Sequence, residues 1–129
     1  MIVDTSALVA IILGEPERES YLERITQAQR RLISAASYVE LGIVIDSRRD
    51  PVLSRTLDQL LAALEIEVVP LTVAQATIAR GAHHDFGRGS GHAARLNLGD
   101  CFAYALAKDT DEPLLWKGDD FGHTDVRRP

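Results

Sequence analysis

The chain opens MIVDTSALVAIIL (residues 1–13), and this stretch decides the fold. Ile2-Val3 is a β-branched pair that favours a strand, and the apolar run from Ala7 to Leu13 is far too short to span a bilayer. Between them stands Asp4, a carboxylate at the point where the strand must end. Asp4 with Thr5 and Ser6 can cap a following helix, so the ordinary reading of the acid is an N-cap. Whether it has a second task depends on the rest of the chain.

Outward from this start, short apolar runs alternate with longer amphipathic ones. MIV at 1–3, LIS at 32–34, IEVVPL at 66–71 and PLLW at 113–116 have strand character. Helical periodicity falls near 17–29, 35–47, 51–64, 72–84 and 97–109, most plainly in Leu53, Leu57, Leu60, Leu61 and Leu64. The alternation predicts an α/β fold: a parallel sheet with helices on its faces, joined by right-handed crossovers. In such sheets the functional site gathers beyond the carboxyl ends of the strands. The stretch DFGRGSGHAARLN (85–97), with Gly87, Gly89 and Gly91, is expected to be a mobile loop. It follows a helical segment and lacks the G-K-[ST] of a P-loop, so it is not read as a phosphate cradle.

A chain of 129 residues fits one domain, 1–129, with a core of its own. The N-terminal run has no basic segment before it and no small-residue cleavage site after it, which argues against a secretory signal. Cys101 is the only cysteine, which excludes an internal disulfide and a cysteine-based zinc site and agrees with a reducing cytoplasm. The net charge of −5 argues against a general electrostatic nucleic-acid binder, so any nucleic acid must be held locally.

Four acidic positions stand out. Asp4 ends the first strand. Glu40 lies in SAASYVELGIVI, where Ala36, Ile43 and Val44 make its helical neighbours apolar, so it is expected to face the core side and to need a partner. Asp100, in RLNLGDCFAYALA, falls in the first turn of a helix; with Asn97 as N-cap it can close a capping box, and Asn97 would then orient it. Asp119 and Asp120 follow the last strand in LLWKGDDFG, where a Gly-Asp turn is the plain alternative. Each acid lies where an α/β sheet would bring it to one end. Two carboxylates about 5 Å apart repel by roughly 3 kcal/mol at an effective dielectric near 20, so a converging set needs protons or a cation. With only oxygen ligands on offer, the cation should be Mg2+ or Mn2+ rather than Zn2+.

The segments VDTSALVAI, SAASYVELGIVI, HAARLNLGDCFAYALAK and LLWKGDDFGHTDV, in this order and spacing, resemble the PIN-domain ribonucleases, and most closely the VapC toxins of bacterial toxin–antitoxin pairs. The resemblance implies a three-layer α/β/α sandwich around a parallel sheet of four or five strands. It implies a metal-dependent endoribonuclease, with Asp4, Glu40, Asp100 and Asp119 as the acids and Thr5 or Ser6 as the hydroxyl beside the first. Many members carry Ser or Thr two residues ahead of the fourth acid; this chain has Lys117-Gly118, and Asp120 is the alternative. A cognate VapB-type antitoxin, a homodimer and a toxin–antitoxin hetero-oligomer are further implications.

Metal held by the acids would acidify a water and neutralise charge on a backbone phosphate. Arg95 and Arg88, near the glycine-rich stretch, are the candidate RNA contacts, because the guanidinium fork suits phosphate. Arg48-Arg49 reads as solvated surface. His83, His84 and His92 match no zinc spacing, and only His92 is kept as a candidate substrate contact.

Two phosphotransfer readings fail. A haloacid-dehalogenase-like enzyme needs Asp two residues after the first, where this chain has Ser6, and Asp50 before Pro51 does not suit a receiver phosphoacceptor. The rival from another class is a catalytically idle PIN-like module that binds RNA or protein, against which the presence of all four acids speaks.

Overall fold

The structure, a computed structural model, describes residues 1–129. In chain order it contains β1 (Ile2–Val3), α1 (Thr5–Ile12), α2 (Arg18–Gln27), β2 (Leu32–Ser34), α3 (Ala35–Asp46), α4 (Pro51–Ala63), β3 (Glu67–Val69), α5 (Val73–Phe86), α6 (Leu98–Thr110) and β4 (Leu114–Leu115). A single 3-10 turn, Asp120–His123, follows. The strands form one parallel sheet in the order β3-β2-β1-β4, with Ile2 opposite both Leu32 and Leu114. This is the expected α/β class, with four strands.

Strand alternation divides the interior in two. Val3, Ile33 and Leu115 point into one apolar cluster, closed by Leu8 and Ile11 of α1, Leu41 and Ile45 of α3, and Leu57 and Leu61 of α4. Ile2, Leu32 and Leu114 point into the other, closed by Ala79 and Ala82 of α5 and by Cys101, Ala105 and Leu106 of α6. Helices therefore cover both faces, giving three layers. Cys101 is buried in the second cluster, as packing.

Local chemistry fixes the helix starts. Ser34 and Asp50 accept from the backbone two residues on, with Pro51 in the first helical positions of α4. Thr72 with Gln75 and Asn97 with Asp100 close capping boxes on α5 and α6.

The helix expected to follow Asp4 is α1, in addition to the five periodic segments. Two expectations are corrected. β3 is shorter than the run 66–71, because Pro70 has no N–H for the ladder. The stretch 85–97 is not irregular throughout. α5 extends to Phe86, Gly87 and Leu96 form a parallel bridge, and buried Ala94 and Leu96 anchor the segment to the core. No helix is long and apolar enough to cross a membrane.

Candidate active site

Asp4 lies at the carboxyl end of β1, a central strand, and is only 4% exposed. Its expected role as an N-cap is present. Its Oδ2 accepts from the Ser6 N–H at 2.9 Å, capping α1, and from the Ser6 hydroxyl at 2.5 Å. The same hydroxyl oxygen accepts from the Lys117 N–H at 2.9 Å, so the chain leaving β4 is tied to the acid that ends β1. Burial raises the Asp4 pKa and the charge of Glu40 adds to it, against the lowering effect of the two Ser6 bonds.

Glu40 finds its partner across the fold. Thr5 Oγ1 donates to Glu40 Oε2 at 3.0 Å, with a longer 3.3 Å approach to the Ser37 carbonyl. The expected apolar surroundings need correction: the core stripe of α3 is Ser37, Leu41 and Ile45, whereas Ile43 is 65% exposed. Glu40 is half-buried at the edge of that stripe and leans toward the start of α6. A Cβ placed on Gly99 would overlap its carboxylate, standing 2.5 Å from Cδ. Glycine at 99 therefore leaves the Glu40 carboxylate its present place, and a larger residue there would displace it.

Asp100 is held by its capping box: its N–H donates to Asn97 Oδ1 at 2.9 Å, and its Oδ2 accepts from the Asn97 N–H at 2.8 Å. Its pKa is pushed up to about 6, first by burial and further by the charges of Asp4, Asp120 and Glu40, with the Asn97 bond opposing. The charges of Asp4, Glu40 and Asp120 thus all act on Asp100, although the four acids come from separate parts of the chain. The leading charges acting on Asp100 include Asp120 rather than Asp119, which lines a neighbouring hollow with Trp116 and His123.

No basic side chain neutralises the group. Lys117, the nearest lysine in sequence to the fourth acid, is paired with Glu15 and Glu17. The donors are all oxygen, partly buried and in electrostatic excess, which suits a hard divalent cation. As they stand, no three of these side chains are close enough to enclose an ion, so the acids form an open ring of charge rather than a closed cage. Ser37 Oγ, one turn before Glu40, is buried without a hydrogen-bond partner.

The candidate RNA contacts differ among themselves. Arg88 and Arg95 are exposed, and neither forms an ion pair; Arg95 has a left-handed backbone, φ 52°. His92 is half-buried with its ring edge-on to Phe86 at 4.9 Å, and its Nδ1 accepts from the Ala94 N–H at 3.1 Å. That bond commits one ring nitrogen to shaping the loop. Arg48 and Arg49 are exposed, as expected.

Sequence reasoning missed Gly99, Lys117 and Arg128. A glycine in the first turn of a helix is a signal of close backbone approach and was open to that reading. The tie from Lys117 to Ser6, and the stacking of Arg128 over Trp116, join residues far apart in the chain and leave no local pattern.

A profile of the PIN domain matches residues 1–127. Over 128 residues the chain is 59% identical to VapC ribonuclease Mb0625 of Mycobacterium bovis and to ribonuclease VapC28 of Mycobacterium tuberculosis, covering 99% of this chain and 96% of each relative. Among solved structures, VapBC2 of Rickettsia felis bound to a promoter DNA fragment matches with a TM-score of 0.76 at 14% identity, covering 99% of this chain and 96% of that one. Mycobacterium tuberculosis VapC20, a sarcin–ricin loop cleaving toxin, matches with a TM-score of 0.70 at 15% identity, covering 98% of each chain. Nucleases with the PIN domain generally use a divalent metal. Three acids from separate parts of the chain acting on Asp100, and close identity to VapC ribonucleases along almost the whole length, agree: this chain belongs to the PIN domain family, among its VapC ribonucleases.

Proposed function

We propose that the chain is a VapC-type toxin, an endoribonuclease that hydrolyses RNA phosphodiester bonds at the acid cluster with Mg2+ or Mn2+. The observation that supports this most is the state of Asp100. Its carboxyl is pushed up to about 6 by burial and by three other acids, with no basic side chain among them. Such an arrangement lowers stability and is useful only with a cation bound. Asp4, Glu40 and Asp100 are the residues that would hold it, and Asp120 takes the fourth place ahead of Asp119.

A bound hard cation supplies positive charge to the phosphate and acidity to a water molecule. The protein's own part is orientation. Ser6 fixes Asp4, Thr5 fixes Glu40, Asn97 fixes Asp100, and Gly99 leaves the room that Glu40 occupies. Arg88 and Arg95 supply cations for the RNA backbone. The Rickettsia felis neighbour is VapBC2, and one further neighbour, from Klebsiella pneumoniae, is a toxin–antitoxin complex. By that likeness a VapB-type antitoxin restrains this chain, and homodimers and toxin–antitoxin hetero-oligomers form in the cytoplasm.

The test is cleavage of single-stranded RNA by the purified chain. Degradation that needs Mg2+ or Mn2+, stops with chelator and disappears in Asp4→Asn is expected. RNA binding without cleavage, unaffected by chelator, would instead identify an idle RNA-binding module.

A further inference from the structure

Next to the end of the edge strand β4 lies a hollow of about 510 Å3, lined by Trp116, Gly118, Asp119, His123, Val126 and Arg128 among others. Its frame is fixed from several sides. The Trp116 indole N–H donates to the Gly118 carbonyl at 3.1 Å, and Tyr21 donates its hydroxyl to the Trp116 carbonyl at 3.2 Å. The turn passes through Gly118 at φ +97°, a conformation that favours glycine. Trp116 packs at a tilt on Phe121, with centroids 5.6 Å apart.

Over this frame lies Arg128, its guanidinium carbon 4.1 Å from the Trp116 ring centroid. Stacking orders a guanidinium while leaving its in-plane N–H groups free. Only one long bond, 3.4 Å to the Gly118 carbonyl, engages them. The neighbouring Arg127 is paired with Asp111, whereas Arg128 has no carboxylate partner. Exposed His123 shares the rim, and Asp119 is the acid of the hollow. Asp119 lines the hollow and the next residue, Asp120, acts on Asp100, so one wall of the hollow adjoins the acid cluster along the chain.

We propose that this hollow seats a nucleotide of the RNA strand next to the one that is cleaved. Arg128 donates two N–H groups to a phosphate, His123 adds a donor, and Asp119 accepts from a ribose 2′-hydroxyl, which makes the subsite prefer RNA to DNA. Its place beside the cleaved bond rests on the ribonuclease reading. It gives an acidic protein an ordered cation for the polyanion in addition to Arg88 and Arg95.

Trp116 is the only tryptophan, so the emission of the chain comes from a wall of this hollow. The intact chain, in chelator, is titrated with a short single-stranded RNA and with DNA of the same sequence. Expected is a saturable change in Trp116 emission with RNA and weaker binding of DNA. Arg128→Ala should bind RNA about tenfold less tightly, with a log K against log salt slope shallower by about 0.7, one phosphate contact on a single strand. Arg128→Lys, which keeps the charge, should retain most of the slope and serves as a folded control. In cleavage assays the loss in Arg128→Ala should fall on KM rather than kcat.

Equal affinity and equal slope for Arg128→Ala and the parent overturn the subsite, as does an emission moved by an acidic partner protein but not by RNA. Arg128-dependent RNA binding by a chain that cleaves nothing refutes the ribonuclease reading and leaves an RNA site. Normal KM and cleavage in Arg128→Ala refute the subsite alone.

Discussion

Replacing Asp100 by Asn should stabilise the metal-free protein while abolishing its activity. The carboxyl titrates near 6 in the folded chain against a reference of 3.8, so the folded state holds the proton more tightly than the unfolded one. The stabilisation this gives is complete below about pH 4, is lost as the pH rises to about 6, and is absent at pH 7. A shift of about two units corresponds to about 3 kcal/mol at full weight. The side chain is only partly buried, so solvent screening reduces this to about 1–2 kcal/mol. Asn keeps the shape and can still accept the Asn97 N–H through its amide oxygen, so the helix cap survives. In thermal melts with chelator at pH 7.5, Asp100→Asn should therefore melt about 4–7 °C above the parent, and the gap should close near pH 4. Mg2+ or Mn2+ should reverse the order, because a ligand that binds only the folded parent raises its stability by mass action. A variant that melts at or below the parent in chelator at pH 7.5 would refute the claim that unbalanced negative charge surrounds Asp100.

Two other substitutions separate geometry from folding. Gly99→Ala should displace the Glu40 carboxylate, which a new Cβ would overlap, and lower RNA cleavage at least tenfold in initial-rate assays. Its melting temperature should change little or rise, since Ala is about 1 kcal/mol better than Gly within a helix; an active variant would show that Glu40 need not stand there. Asp120→Asn should lower kcat about a hundredfold or more, whereas Asp119→Asn should change kcat less than tenfold and act mainly on KM. The opposite ranking would return the fourth place to Asp119.

Much of this molecule is legible in one dimension because its signals are local. Leu57 and Leu61 keep helical spacing on one stripe, Ile2 and Val3 alternate across a strand, and Asn97 and Asp100 form a box within a single turn. Asp4 is conspicuous for the same reason, as a charge set between two apolar segments. Family resemblance added the order of the acids and their partners, which composition alone could not supply.

Other features depend on distances through space. The apolar neighbours of Glu40 suggested a core-facing side chain, yet the direction of α3 is set by Leu41 and Ile45 packing on α1 and α4, and this rotates Ile43 into solvent. Asp119 and Asp120 are equivalent as letters; the turn through Gly118 sends one toward the Trp116 hollow and the other toward Asp100. The bond between Lys117 and Ser6 spans 111 positions and exists only because β4 pairs with β1. The sequence by itself determined the alternating elements, the acids and the oxygen-only donor set, because backbone propensity and side-chain chemistry are properties of neighbours. Tertiary structure alone decided which acids act on Asp100 and which cations stay free, because charge acts across the few ångströms that folding closes.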